Sequence, residues 1–118
     1  MKFVAKHEFP ELPGTDKMTL MLVELKNGYG VYYYIHCEDR YSEVYTSKNL
    51  YDAQKEYNRE KDRREVKDAI LKAALERMSN GDKLEHIRRF QNYLLAIPWL
   101  DADVRDFVQR LDRMVFSA

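Results

Sequence analysis

The hydrophobic spacing of this chain changes once, near residue 48, from every second position to every third or fourth. A strand with one buried face produces the first pattern and an amphipathic helix the second. A chain that carries the two in succession should fold as a sheet followed by helices, which is the α+β class. The expected architecture is a three- to four-stranded antiparallel meander followed by three, or four, helices.

The strand half has three clear segments and one short candidate. "KFVAK" (2–6) is the short one, and it ends at "HEFPELPGTD", where two prolines and a glycine block regular pairing. "MTLMLVEL" (18–25) and "GVYYYIH" (30–36) flank Asn27-Gly28, the dipeptide that suits a type I′ hairpin turn. "YSEVYT" (41–46) follows through the polar turn "CEDR".

In the helical half, Ser47 or Asn49 can cap a helix starting at Leu50, with Leu50, Ala53 and Tyr57 on one stripe. "NREKDRRE" (58–65) has no apolar member, and the stripe resumes at Val66, Ile70, Ala73 or Ala74, and Met78. Without Gly or Pro between 49 and 80, one helix of about 30 residues is favoured over two meeting near Arg63. Its polar turns should be supported by the pairs Glu60–Arg64 and Arg64–Asp68. Gly81 suits a C-cap, and Asp82 with Glu85 a capping box for a second helix carrying Leu84, Ile87, Phe90, Leu94 and Ile97 up to Pro98. Asp101 should cap a last helix that buries Val104, Phe107, Val108, Leu111, Met114 and Val115.

The three consecutive tyrosines, Tyr32 to Tyr34, cannot share a face of a strand. A two-residue turn at Asn27-Gly28 pairs Leu25 with Gly30, Val23 with Tyr32 and Met21 with Tyr34. A second such turn at Glu38-Asp39 sets Tyr45 beside Tyr32, Glu43 beside Tyr34 and Tyr41 beside His36. One face then holds Leu20, Leu22, Val31, Tyr33, Ile35 and Val44, the expected core. The other holds Met21, Val23, Leu25, Tyr32, Tyr34, Tyr41 and Tyr45, with His36 and Glu43. A one-residue slip would exchange the faces of the last strand. The second face is too apolar for the solvated side of a small sheet. Its own chain could cover it, through a helix or the segment with Phe3, Phe9 and Leu12, or a protein partner or nucleic-acid bases could.

No catalytic, metal or cofactor set emerges. His36-Cys37-Glu38-Asp39 packs four potential ligands into one turn, but consecutive residues do not converge on an ion, and no second cluster completes a set. Cys37 has His36 on the opposite strand face and so lacks a base. The chain is therefore read as non-enzymatic. At 118 residues it fits one domain, 1–118, with a sheet part (1–47) and a helical part (48–118). Twenty basic residues match twenty acidic ones, and each half is within one charge of balance (six against seven in 1–48, fourteen against thirteen in 49–118), so no net charge draws it to nucleic acid or membrane. One cysteine, no signal-length apolar run and no stretch of 18 apolar residues point to a cytoplasmic protein without a membrane span.

"IPWLDADVRD" (97–106) turns one helix into the next, with Trp99 expected as the plug of the corner, or else as an anchor for a partner. The arginines Arg59, Arg63 and Arg64 interleave with acids and are expected on a solvated helix face. The three strands and the helix opening "TSKNLYDAQKEY" (46–57), with Thr46, Lys48 and Ala53, resemble the arm-site DNA-binding domains of transposon integrases. That resemblance implies a sheet in the major groove, yet this sheet presents tyrosines where such a domain carries basic residues, so no site is carried over.

The expected role is a non-catalytic protein-interaction or regulatory module, acting through the aromatic sheet face or the helical part and binding a protein partner or its own copy. Chains of this size without a catalytic set are often accessory or inhibitor proteins of phages or mobile elements. The alternative is nucleic-acid binding through the tyrosine face or the arginine-bearing helix. The interaction candidates are Tyr32, Tyr34, Tyr41, Tyr45 and Trp99, together with Arg59, Arg63 and Arg64.

Overall fold

The computed structural model describes residues 2–12, 15–79 and 84–117. Four strands, β1 (Lys2–Glu8), β2 (Met18–Leu25), β3 (Gly28–Ile35) and β4 (Arg40–Ser47), form one antiparallel sheet in the order β1-β2-β3-β4. Four helices follow, α1 (Leu50–Ser79), α2 (Leu84–Leu95), α3 (Ala102–Gln109) and α4 (Leu111–Ser117), so the α+β arrangement holds. The N-terminal segment does not cross the tyrosine face; it lengthens the sheet as β1. Two compact units divide within α1, residues 1–62 and residues 63–118.

In the first unit, Lys26 and Asn27 alone make the β2–β3 turn, and Leu25 pairs with Gly28. The pairing is thus displaced by two residues from the type I′ expectation: Val23 faces Gly30 and Met21 faces Tyr32. Because the side-chain period is two, this displacement leaves every residue on its expected face. Gly28 serves close approach, since a methyl group there would lie 2.6 Å from the Ser47 carbonyl oxygen.

The β3–β4 connection is also not a plain two-residue turn. His36–Glu38 form one 3-10 turn, and Asp39 takes a left-handed conformation, with φ 47°. Both outer strands carry one extra residue. Val4 of β1 falls between the pairs Phe3–Val23 and Ala5–Leu22, and Val44 of β4 falls between Tyr45–Val31 and Glu43–Tyr32. The Val44 bulge performs the slip for half of the strand. Tyr45 moves to the inner face and Val44 leaves it, while Tyr41 and Glu43 stay on the outer one.

The inner face is core. Leu20, Leu22 and Val31 pack with Phe9 and with Ala53 and Tyr57 of α1, and Ala5, Tyr29, Tyr33 and Tyr45 border them. Leu20 and Leu22 are fully buried, which stabilises by roughly 1.5–3 kcal/mol each. Asn49 caps α1 by accepting from the Tyr51 N–H at 2.8 Å, and Ser47 braces it by accepting from the Asn49 N–H. Leu50 is exposed, so the stripe here is Ala53 and Tyr57. Glu60 accepts a 3.0 Å hydrogen bond from the Tyr33 hydroxyl, which supplies the polar end that this half-buried ring needs.

In the second unit, Leu71 and Ala74 of α1 are fully buried and Asp68 nearly so, whereas Val66 is exposed. The buried line is rotated from the apolar stripe because charged side chains occupy part of it. Arg64 and Asp68, 15% and 12% exposed, pair at 3.0 Å. Arg63 donates to Asp101 at 3.2 Å, and Lys67 pairs with Asp103. Asp101 caps α3 as expected, accepting from the Asp103 and Val104 N–H groups. Burial works to raise its pKa, but those two donors and the Arg63 guanidinium outweigh it and hold the carboxyl below its ordinary range.

The last helix is interrupted. Arg110 leaves helical geometry between α3 and α4, and the buried Gln91 of α2 donates to the carbonyls of Val108 (2.7 Å) and Gln109 (3.0 Å) there. Val104, Phe107, Val108, Leu111 and Val115 are buried as the stripe predicts. The Gly81 and Asp82 caps and the Met78 side chain lie outside the described residues.

Candidate functional site

The outer sheet face is built by period two from all four strands. Phe3, Lys6 and Glu8 come from β1, Thr19, Met21 and Val23 from β2, Tyr32 and Tyr34 from β3, and Tyr41 and Glu43 from β4. Met21 and Val23 are buried on this face. Tyr32 covers its neighbour Gly30, where any side chain would collide with the ring and with Leu25. Its hydroxyl reaches Glu43 at 3.4 Å.

Tyr34 is the hub. Its ring lies 5.0 Å from that of Tyr41 and 4.7 Å from that of His36, the latter edge to face. Its hydroxyl donates to Asp39. The connection at 36–39 makes this possible, because it pairs Ile35 with Arg40 and so sets Tyr41 directly opposite Tyr34 instead of opposite His36. His36 Nε2 lies 2.8 Å from the Thr19 hydroxyl, tying the 3-10 turn to β2. On the other side, the Lys6 ammonium sits 4.0 Å above the centre of the Phe3 ring.

These side chains enclose an open groove of about 350 Å3, lined by Phe3, Lys6, Glu8, Tyr34, His36 and Tyr41 with Thr19 and Met21 at its base. Tyr41 remains 50% exposed. Carboxylates surround the tyrosines. The hydrogen bond to Asp39, with desolvation and the charge of Asp39 adding to it, raises the Tyr34 pKa above 10.0. Desolvation first, and then Glu43, do the same for Tyr32. Both phenols therefore stay protonated and act as donors at neutral pH.

The other predicted residues are placed differently. Tyr45 borders the inner core and is not part of the groove. Trp99 is 83% exposed, so it does not plug the α2–α3 corner. Arg105 performs that task by donating to the carbonyls of Leu95 and Ile97, both at 2.8 Å. A helix C-terminus leaves such carbonyls short of donors, and an arginine four residues past the next cap gave no motif by which to find it.

The arginines do not form a phosphate-binding strip. Arg63 and Arg64 are largely buried in their ion pairs with Asp101 and Asp68, against the solvated face expected for them. Exposed Arg59 lies 3.7 Å from Glu56, Arg88 3.8 Å from Asp112, and Arg89 2.7 Å from Glu85. Desolvation and the nearby Asp16 and Glu38 carboxylates push the Cys37 thiol above its ordinary pKa, which leaves it mostly protonated and weakly nucleophilic. Among the described residues no three His, Cys, Asp or Glu side chains are placed to hold a metal, and no helix is long and apolar enough to cross a membrane.

Comparison with protein-family models, with curated proteins and with solved structures gives no match. The functional reading therefore stands on the geometry of the outer face.

Proposed function

We propose that this chain is a non-catalytic protein-interaction module whose binding surface is the outer sheet face, centred on Tyr34 and Tyr41. The observation that supports this reading is a paired set of aromatic rings, one half exposed, on a sheet face where Met21 and Val23 are buried. Tyrosine on a rigid strand suits contact with a partner, because the ring contributes area with few rotamers and the hydroxyl tolerates water. Nucleic acid is the weaker reading, since Glu8, Asp39 and Glu43 would face its phosphates. A cytoplasmic setting fits Cys37, which is exposed and the chain's single cysteine.

The test is photocrosslinking in cells with benzoylphenylalanine in place of Tyr41, and separately of Tyr51, which is 73% exposed on α1 and serves as the control. The reading expects a discrete protein adduct from position 41 that position 51 does not give. Identical adducts from both positions, or none from position 41, would remove the outer face as a binding surface.

A further inference from the structure

The charges around the groove identify the chemistry of its occupant. Glu8 and Lys6 line it; at its border Asp39 and Glu43 hold the hydroxyls of Tyr34 and Tyr32, and Arg40 is already paired with Glu38 at 2.8 Å. With the border counted and the Arg40–Glu38 pair set aside, three carboxylates, one lining and two flanking, stand against the Lys6 ammonium on a surface of aromatic rings. The quadrupole of a phenol ring attracts cations over its face, and a carboxylate at the ring's edge adds to that attraction. Lys6 already shows the preference within the chain, holding its ammonium over Phe3. Tyr34 and Tyr41 offer the same faces with no cation of the chain placed over them among the contacts described.

Resting on the interaction reading above, we propose that the groove receives a basic segment of another protein, with an arginine side chain over Tyr34 and Tyr41 and its guanidinium directed to Glu8. Arginine fits better than lysine because its planar head both stacks on a ring and forks to a carboxylate. A second copy of this chain docking face to face is a poorer occupant. It would set the same three carboxylates against each other, and like charges across an interface are costly.

The test uses the whole 15N-labelled chain and two probes, a capped five-residue peptide with two arginines around a leucine and its uncharged citrulline counterpart. The proposal expects saturable amide shifts at residues 6–8, 34–36 and 39–43 with the arginine peptide only, with a Kd in the millimolar range that weakens as salt is raised. Glu8→Gln should weaken binding roughly threefold, as loss of an exposed ion pair does. Lys6→Gln should strengthen it by a similar factor. Both residues are exposed, so these variants keep the fold.

Equal shifts with the citrulline peptide, no shifts with either, or shifts of the same amides by an oligothymidylate would each overturn the proposal. A specific adduct from position 41 combined with any of these results would keep the interaction module and discard the basic partner.

Discussion

The Gln91 side-chain amide lies 2.7 Å from the Val108 carbonyl oxygen, and this contact coincides with the break between α3 and α4. A helix end exposes carbonyls that need donors, and inside a small bundle water cannot supply them. Gln91 supplies one to Val108 and another to Gln109. Gln91→Leu should therefore destabilise by about 1–3 kcal/mol, since the buried Val108 carbonyl loses its side-chain donor while apolar bulk is added. Urea unfolding would measure this, and an unchanged midpoint would show that the break holds itself.

Arg105 and Trp99 exchange the roles that their residue types suggest. Arg105→Ala should lower stability by about 2 kcal/mol, because two charge-assisted hydrogen bonds at the end of α2 disappear together. Trp99→Ala should stay within about 0.5 kcal/mol of the parent, as substitutions of exposed side chains do. Thermal unfolding of the two variants side by side checks the order. A Trp99 variant that melts earlier than the Arg105 variant would contradict it.

The Arg64–Asp68 pair predicts a non-additive result. Arg64→Ala alone should cost about 3 kcal/mol, since Asp68 is left as an unpaired charge in a nearly buried position. The double variant Arg64→Met with Asp68→Leu should recover most of that loss, because apolar residues of similar volume often replace such pairs at little cost. A double-mutant cycle in denaturant is the measurement, and simple additivity would mean that the pair is effectively solvated.

Stability should fall at both ends of the pH scale for identifiable reasons. The raised pKa values of Tyr34 and Tyr32 mean that the native chain keeps protons the unfolded chain has begun to lose. Their contribution is complete below pH 10.0 and is lost as pH rises through the folded values. The lowered pKa of Asp101 acts in the opposite sense. Its contribution is present above 3.8 and is lost as pH falls through the folded value. Tyrosinate absorbance should show Asp39→Asn titrating at lower pH than the parent, and Asp101→Asn should flatten the acid side of the stability curve.

Much of this fold was legible from alternation alone. Leu20, Leu22, Val31 and Tyr33 reach the inner face although the pairing is displaced by two residues, because a two-residue shift cannot change a face. Tyr45 was misplaced because a bulge adds one residue, and no feature of "YSEVYT" distinguishes a bulged valine from a paired one. The buried line of α1 was misread for another reason. An apolar stripe cannot register Arg64 and Asp68, whose burial depends on each having the other. Gln91 and Arg105 were invisible for the same cause, since their partners are backbone carbonyls made available by distant helix ends. Of the candidate site, Tyr32, Tyr34 and Tyr41 followed from register. The groove's other wall, with Phe3, Lys6 and Glu8, required β1 to join the sheet.

The two valine bulges, one in each outer strand, bear on how this protein behaves at high concentration. A straight border with regularly spaced amides and carbonyls invites a further strand, from a neighbour or from an endless stack of neighbours. Val4 and Val44 interrupt that spacing on both borders. The sheet is thereby protected from growing into fibrils, even though its tyrosine-rich strands have the composition of segments that do.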